Sequence, residues 1–183
     1  MGLGDQLPTL VGVVVGGAMS YLVGTLTERS RWRREQAARW DGRLLEAYSD
    51  YADAVKECVT YYQRLAAHRG LSNHPAPLQP TEETSERAAA AEARRSAMVE
   101  PLSLLTNAET AQAVREVNQC VWHLEWLARG RKAGDAAAWE EAFGAYRTAR
   151  AEFYRQARRS LNIPEMAGLP DSQWPPRWRT NDR

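Results

Sequence analysis

The pattern of apolar and polar positions separates one charge-free run near the N-terminus from a longer amphipathic part. Between Asp5 and Glu28 there are 22 residues without a formal charge, and most of the apolar side chains in Leu7–Leu26 are leucine or valine. A helix rises about 1.5 Å per residue, so such a run covers about 33 Å, enough to cross a bilayer's hydrocarbon core. The pattern therefore predicts a transmembrane helix over residues 7–26.

A cleaved signal peptide and a buried helix of a soluble domain are the alternatives to this span. A signal peptide begins with basic residues and ends at a small-residue cleavage site. Here MGLGDQ contains no Lys or Arg, and the run ends in TLTERSRWRRE. A charge-free run of this length is also unusual for a buried helix of a soluble protein. We therefore favour the transmembrane interpretation.

The charges beside the span predict its orientation. The segment 27–43 has three more basic than acidic residues, whereas the other flank has only Asp5 and the terminal amine. Its membrane-proximal basic cluster is Arg29, Arg31, Arg33 and Arg34. Basic residues stay on the cytoplasmic side, so we expect the N-terminus outside the plasma (inner) membrane and residues 27–183 in the cytoplasm. Cys58 and Cys120 would remain free thiols in that reducing compartment.

Helical periodicity continues through the remaining chain and predicts four helices. The first runs from Thr27 to about Arg69 and carries a coiled-coil-like heptad seam. Further helices are expected near 81–105, 106–129 and 135–161, each with an apolar side at 3–4 spacing. The seam of the first helix consists of Leu44, Tyr48, Tyr51, Val55, Cys58, Tyr62 and Leu65. The apolar sides of the others are Ala91, Met98, Leu102 and Leu105; Val114, Val117, Val121, Leu124 and Ala128; and Trp139, Phe143, Tyr146, Phe153 and Ala157.

Local signals set the expected helix boundaries. Thr106-Asn107-Ala108-Glu109 has the pattern of a capping box and would open the third helix. Asp135 would cap the fourth helix, and Pro101 would kink the second. Strand signals are nearly absent, so the predicted fold class is all-α. We expect a single N-terminal transmembrane helix (7–26), an antiparallel cytoplasmic bundle of about four helices (27–163) and an extended tail rich in Pro, Trp and Arg (164–183).

Two surface features suggest associations at the membrane. Small residues at four-residue spacing along the span let helix backbones approach closely, which favours a homo-oligomer; glycine is also common in such helices without this role. The stripe is Gly12, Gly16, Ser20 and Gly24. In the tail, tryptophan and arginine together suit a contact with the inner leaflet or a protein partner, and a disordered tail is the alternative. The tail residues are Trp174, Arg177, Trp178 and Arg179.

Composition and motifs give little support to a catalytic, metal-binding or nucleic-acid-binding function. The net charge of +1 predicts no nucleic-acid partner. Cys120 and His123 are one helical turn apart, but zinc needs four converging ligands, so a small apolar role for cysteine is favoured. The acidic row Glu46, Asp50, Asp53 and Glu57 is expected to be a solvated face. Trp122, Trp126 and Trp139 could line a ligand pocket, although aromatic residues at helical spacing usually belong to a core. We find no catalytic motif and predict no enzyme, cofactor or metal.

The order of motifs resembles that of uncharacterised small membrane-anchored helical proteins from actinobacteria. The resemblance rests on the basic junction TERSRWRRE, the VWxLEW segment at 121–126 and AEFYRQARRSL at 151–161. It implies the architecture alone, because no function is assigned to that family. Three hypotheses follow. The first is a self-associating membrane-anchored interaction or scaffold module with an unknown protein partner, and the second is a membrane-active effector whose small-residue span perturbs the bilayer. The third is a small-ligand sensor that uses the bundle core.

Overall fold

A computed structural model describes residues 7–164, and among residues 7–38 it describes only the side chains of Trp32 and Gln36. The described residues form four α-helices and no strand, which confirms the all-α class. The helices are α1 (Leu7–His68), α2 (Glu82–Leu105), α3 (Ala108–Ala128) and α4 (Ala136–Ser160). By compactness the chain divides into two units, Met1–Arg43 and Leu44–Arg183.

The first unit contains the helical backbone from residue 7 to residue 43 in α1. Trp32 and Trp40 are exposed there, and the Arg43 guanidinium lies 5.8 Å from the Trp40 ring centroid. Within the part of the chain that the structure describes, no helix is both long enough and apolar enough to cross a membrane. The side chains of Leu7–Leu26 lie outside the described residues, so the transmembrane span stays a prediction.

The second unit is a helical bundle whose directions follow from contacts between the helices. Tyr48, early in this part of α1, hydrogen-bonds Ser160 at the end of α4 at 2.8 Å, so α1 and α4 are antiparallel. Arg94 of α2 pairs with Glu57 of α1. Glu92, which comes earlier in α2, accepts a hydrogen bond from Tyr62, which comes later in α1. Helix α2 is therefore antiparallel to α1 as well.

The third helix runs parallel to α1. Tyr51 of α1 donates to the Val114 carbonyl near the start of α3 at 3.2 Å. At the other end, Arg69 donates to the Leu127 carbonyl in the last turn of α3. With α2 and α4 running the other way, neighbouring helices in the chain alternate in direction, as expected for an up-down bundle.

The core of the bundle contains most of the apolar positions that the periodicity predicts, together with others such as Val59 and Leu127. Each buried side chain removes apolar area from water at about 25 cal/mol per Å², and this burial is the main drive for helix association. Leu44, Met98, Leu105 and Phe143 are half-buried at the margins. The large residues at the centre are Tyr51, Tyr62, Leu102, Val117, Val121, Leu124, Leu127, Trp139 and Phe153.

Two of the predicted boundaries are confirmed and one is wrong. Thr81 caps α2, and Asp135 caps α4 by accepting from the Ala138 N–H at 2.9 Å. The cap of α3 is Asn107, whose side chain accepts from the Thr110 N–H, whereas Thr106 ends α2. Thr106 is instead the C-cap of α2, where its backbone N–H and its hydroxyl both donate to the Leu102 carbonyl. The helix α2 continues through Pro101 to Leu105.

Candidate functional site

An arginine lies inside the bundle. Arg95 is on the buried side of α2 between Ala91 and Leu102, and its side chain is 1% exposed. Burying a lone ionised group costs on the order of several kcal/mol, so an arginine in this position requires partners that offset its charge.

Glu92, one turn earlier on α2, is that partner. Arg95 Nε donates to Glu92 Oε2 at 3.0 Å, and Arg95 Nη2 donates to Oε1, so the pair is joined at two points. Arg95 Nη1 donates to Asn118 Oδ1 of α3. The same oxygen accepts from the Tyr51 hydroxyl of α1 at 3.0 Å, so the ion pair connects three helices.

Glu92 also collects donors from α1 and α3. Trp122 Nε1 donates to its Oε1 at 3.1 Å, and the Tyr62 hydroxyl donates to its Oε2 at 3.5 Å. Burial alone would raise the pKa of Glu92, but these hydrogen bonds, above all those from Arg95, lower it. Burial likewise disfavours the charged form of Arg95, and the carboxylate outweighs it and raises the pKa of Arg95. Both groups are therefore charged at neutral pH.

The other titratable groups beside the pair stay protonated. Burial, reinforced by Glu92, raises the pKa of the Cys58 thiol to about 12. Burial also raises the pKa of Tyr51 and of Tyr62 above the ordinary tyrosine range. Because the thiolate is the nucleophilic form of cysteine, Cys58 is held in its unreactive state. The cluster around the Arg95–Glu92 pair therefore joins α1, α2 and α3 through hydrogen bonds.

At Trp122 this buried network reaches the surface. The Trp122 side chain is 44% exposed, yet its indole N–H is bound to Glu92 and the Arg95 guanidinium lies 5.6 Å from its ring centroid. One turn later on α3, Trp126 is 48% exposed. We call this pair the aromatic face. Tryptophan is enriched at the energetic centres of protein interfaces, and a ring that is already held loses little freedom on binding.

The aromatic face corrects one expectation from the sequence. Of the three tryptophans at helical spacing, only Trp139 of α4 belongs to the core, with 1% of its surface exposed. Trp122 and Trp126 are on the outer side of α3 because the buried side of that helix is filled by Val114, Val117 and Val121.

Among residues 39–164, no further metal-ligating side chains converge on Cys120 and His123. His123 Nε2 lies 3.0 Å from Lys132 Nζ, and burial together with that ammonium group lowers the pKa of His123. Over residues 39–164 both cysteines are free thiols, and no three His, Cys, Asp or Glu side chains are placed to hold a metal ion.

The acidic row of α1 is exposed to solvent at Glu46, Asp50 and Asp53. Glu57, at its end, forms an ion pair with Arg94 of α2 at 3.1 Å, with both side chains at least 40% exposed. Exposed pairs of this kind contribute about 0–1 kcal/mol.

The site residues predicted at the membrane lie outside the described residues. This applies to the span stripe (Gly12, Gly16, Ser20 and Gly24), to the basic cluster (Arg29, Arg31, Arg33 and Arg34) and to the tail contact (Trp174, Arg177, Trp178 and Arg179). Their roles stay predictions.

Sequence reasoning missed the ion pair, although a signal for it was present. On α2 the apolar positions Ala91, Met98 and Leu102 share one side, and Arg95 occupies the position between the first two. A glutamate three residues earlier is within reach on a helix. An arginine that interrupts a buried face with such a partner predicts a buried pair.

No family model, curated protein or solved structure matches this chain. The resemblance to actinobacterial membrane-anchored proteins therefore stays a prediction.

Proposed function

We propose that the chain is a membrane-anchored helical interaction or scaffold module that self-associates and carries no catalytic activity. The observation that carries the proposal is the charge-free run between Asp5 and Glu28, followed directly by a basic flank. This order is typical of a single-pass anchor with its C-terminal part in the cytoplasm. The bundle would then be held at the inner face of the plasma membrane.

The interaction part of the proposal is supported by the aromatic face. Trp122 and Trp126 are both nearly half exposed on one side of α3, and Trp122 is fixed by Glu92 and Arg95. Two large rings at adjacent turns provide an anchor of the kind that protein interfaces use. The partner would be a protein surface with an apolar pocket for one of these rings.

The anchor is tested by flotation of the full chain on a density gradient, with protease accessibility in intact and opened cells. We expect the protein to float with membranes and to be cleaved only after the cells are opened. Val15→Arg, near the centre of the run, should release the chain because arginine there costs about 2.5–3.5 kcal/mol of insertion; Val15→Leu is the matched control. A soluble parent protein, or cleavage in intact cells, would contradict the proposal.

Self-association is tested by crosslinking in isolated membranes. Gly16→Leu places a large side chain on the small-residue stripe and should reduce the crosslinked dimer. Gly17→Leu is the matched control, since Gly17 is adjacent in the chain but off the stripe. Equal crosslinking in both variants would contradict the proposal that the small-residue stripe is the contact between helices. Growth arrest on expression that Gly16→Leu relieves would favour the membrane-active effector instead.

A further inference from the structure

A cavity at one end of the bundle combines positive charge with apolar walls. It has a volume of about 310 Å³ and lies where α1 and α3 end and α2 begins. Its charged lining consists of Arg69, Arg129 and Arg131, and its apolar lining of Leu65, Pro80 and Ala128.

All the charged residues that line this cavity are basic. Glu125 Oε1 lies 3.0 Å from Arg129 Nε and 4.0 Å from Arg131 Nη1. Neither contact is a good hydrogen bond: Arg129 Nε has no acceptor aligned with its N–H among residues 39–164, and the Arg131 contact is at the limit for an ion pair. No carboxylate is part of the lining, and the acidic residues in the first turn of α2, Glu82 and Glu83, lie outside it.

Arg69 is held rigidly at the cavity wall. Its Nη1 donates to the Leu127 carbonyl and, at 3.4 Å, to the Ala128 carbonyl, so it caps the end of α3. Gly130 makes room for it, because a Cβ there would lie 3.0 Å from Arg69 Nη1. A guanidinium that is already ordered loses little freedom when it binds a ligand.

We propose that this cavity binds a small organic phosphate. The phosphate would lie against the arginines, since guanidinium groups form strong charge-assisted hydrogen bonds to phosphate oxygens. The organic part would lie against Leu65, Pro80 and Ala128. The volume is near the lower end of ligand pockets, which run from about 300 to 1,000 Å³, so the ligand is compact. This binding site is separate from the membrane anchor and does not depend on it.

The test is isothermal titration calorimetry of the full chain in detergent micelles with phenyl phosphate, inorganic phosphate and phenol. We expect saturable binding of phenyl phosphate, weaker binding of inorganic phosphate and none of phenol. Arg131→Gln should weaken phenyl phosphate binding at least about tenfold, the usual loss for one charge-assisted hydrogen bond. Arg131 is 63% exposed, so this variant should fold.

The matched control is Arg115→Gln. Arg115 is an exposed arginine of α3 that hydrogen-bonds Gln112 and is not part of the cavity lining. Its substitution should leave the affinity unchanged. The proposal is overturned if phenyl phosphate shows no saturable binding up to about 10 mM, if Arg131→Gln binds as tightly as the parent, or if Arg115→Gln loses as much affinity as Arg131→Gln.

Discussion

Helices α4 and α2 are attached to the bundle in different ways. The buried side of α4 has large apolar rings, and Phe153 packs edge-on against Tyr48 and Tyr51 of α1 at ring distances of 5.8 and 5.3 Å. The buried side of α2 has two alanines, Leu102 and the charged Arg95. The buried side of α4 depends on apolar area and shape, whereas the buried side of α2 contains a charge that has to be matched by an opposite charge.

The ion pair of α2 also holds a side chain at the surface, Trp122. The carboxylate that pairs with Arg95 also accepts the indole N–H of Trp122, so one group both attaches α2 and fixes the aromatic face. Removing apolar atoms from α4 should leave a cavity and cost stability locally. Removing the Glu92 carboxylate leaves the Arg95 guanidinium buried without an opposite charge, and it also removes the acceptor of the Trp122 indole N–H.

A large effect is expected on the α4 side. Phe153→Ala deletes a ring that is 2% exposed and packed against two tyrosines, so it should lower the free energy of unfolding by about 3–5 kcal/mol. Urea unfolding of the full chain followed by circular dichroism measures this loss. Tyr154→Ala, at the neighbouring exposed position, should cost below about 1 kcal/mol. Equal losses would mean that α4 is not held by its apolar face.

A smaller effect is expected at two glycines with left-handed backbone. Gly70 and Gly130 have φ of 73° and 71°, so alanine at either should cost about 1–2 kcal/mol in strain. A Cβ on Gly70 meets nothing within 4 Å, whereas one on Gly130 crowds the Arg69 guanidinium. In the same urea assay Gly130→Ala should therefore be the more destabilising. A larger loss for Gly70→Ala would show that Arg69 does not need this space.

Acid should affect α2 more than α4. The pKa of Glu92 is lower in the folded protein than in the unfolded chain. The stability that Glu92 contributes is therefore fully present above the ordinary carboxyl pKa of about 4. It is lost as the pH falls through the pKa of Glu92 in the folded protein. The groups that face this carboxylate are Arg95 on α2, Cys58 and Tyr62 on α1, and Trp122 on α3. Trp122 fluorescence should change in acid before the helix signal is lost, read as the difference in emission between the parent and Trp122→Phe. A single coincident transition would contradict this order.

The smallest effect is expected on the aromatic face. Trp126→Ser removes a ring that is about half exposed and should change the free energy of unfolding by about 0.5 kcal/mol or less. The same substitution at Trp139 should be severely destabilising because that ring is 1% exposed. A large loss of stability at Trp126 would place its ring in the core and remove the argument for an interface.

The parts of the fold that can be predicted from the sequence are those that depend on residue spacing within a single helix. The heptad seam of α1, the valine face of α3 and the cap at Asp135 depend on spacing within one helix, so the sequence alone locates them. Arg95 interrupts the apolar side of α2 at helical spacing, so it could be located in the same way. The orientation of Trp122 could not, because it depends on which neighbouring helix covers which side of α3. The predicted α3 cap is wrong for a local reason. Thr106 and Asn107 both have side chains that can cap a helix, but Thr106 is the C-cap of α2, so Asn107 caps α3.

The attachment of α2 by paired charge is tested most directly by a double-mutant cycle on Glu92 and Arg95. Glu92→Leu should lower the free energy of unfolding by about 3–5 kcal/mol, since it leaves the buried Arg95 without its carboxylate. Arg95→Met should cost less, because the Glu92 side chain is 24% exposed and keeps its hydrogen bond from Trp122. The double variant should recover to within about 1–2 kcal/mol of the parent, since an apolar pair can replace a buried ion pair. Additive losses in the double variant would contradict the account, because they would show that the two side chains stabilise α2 independently.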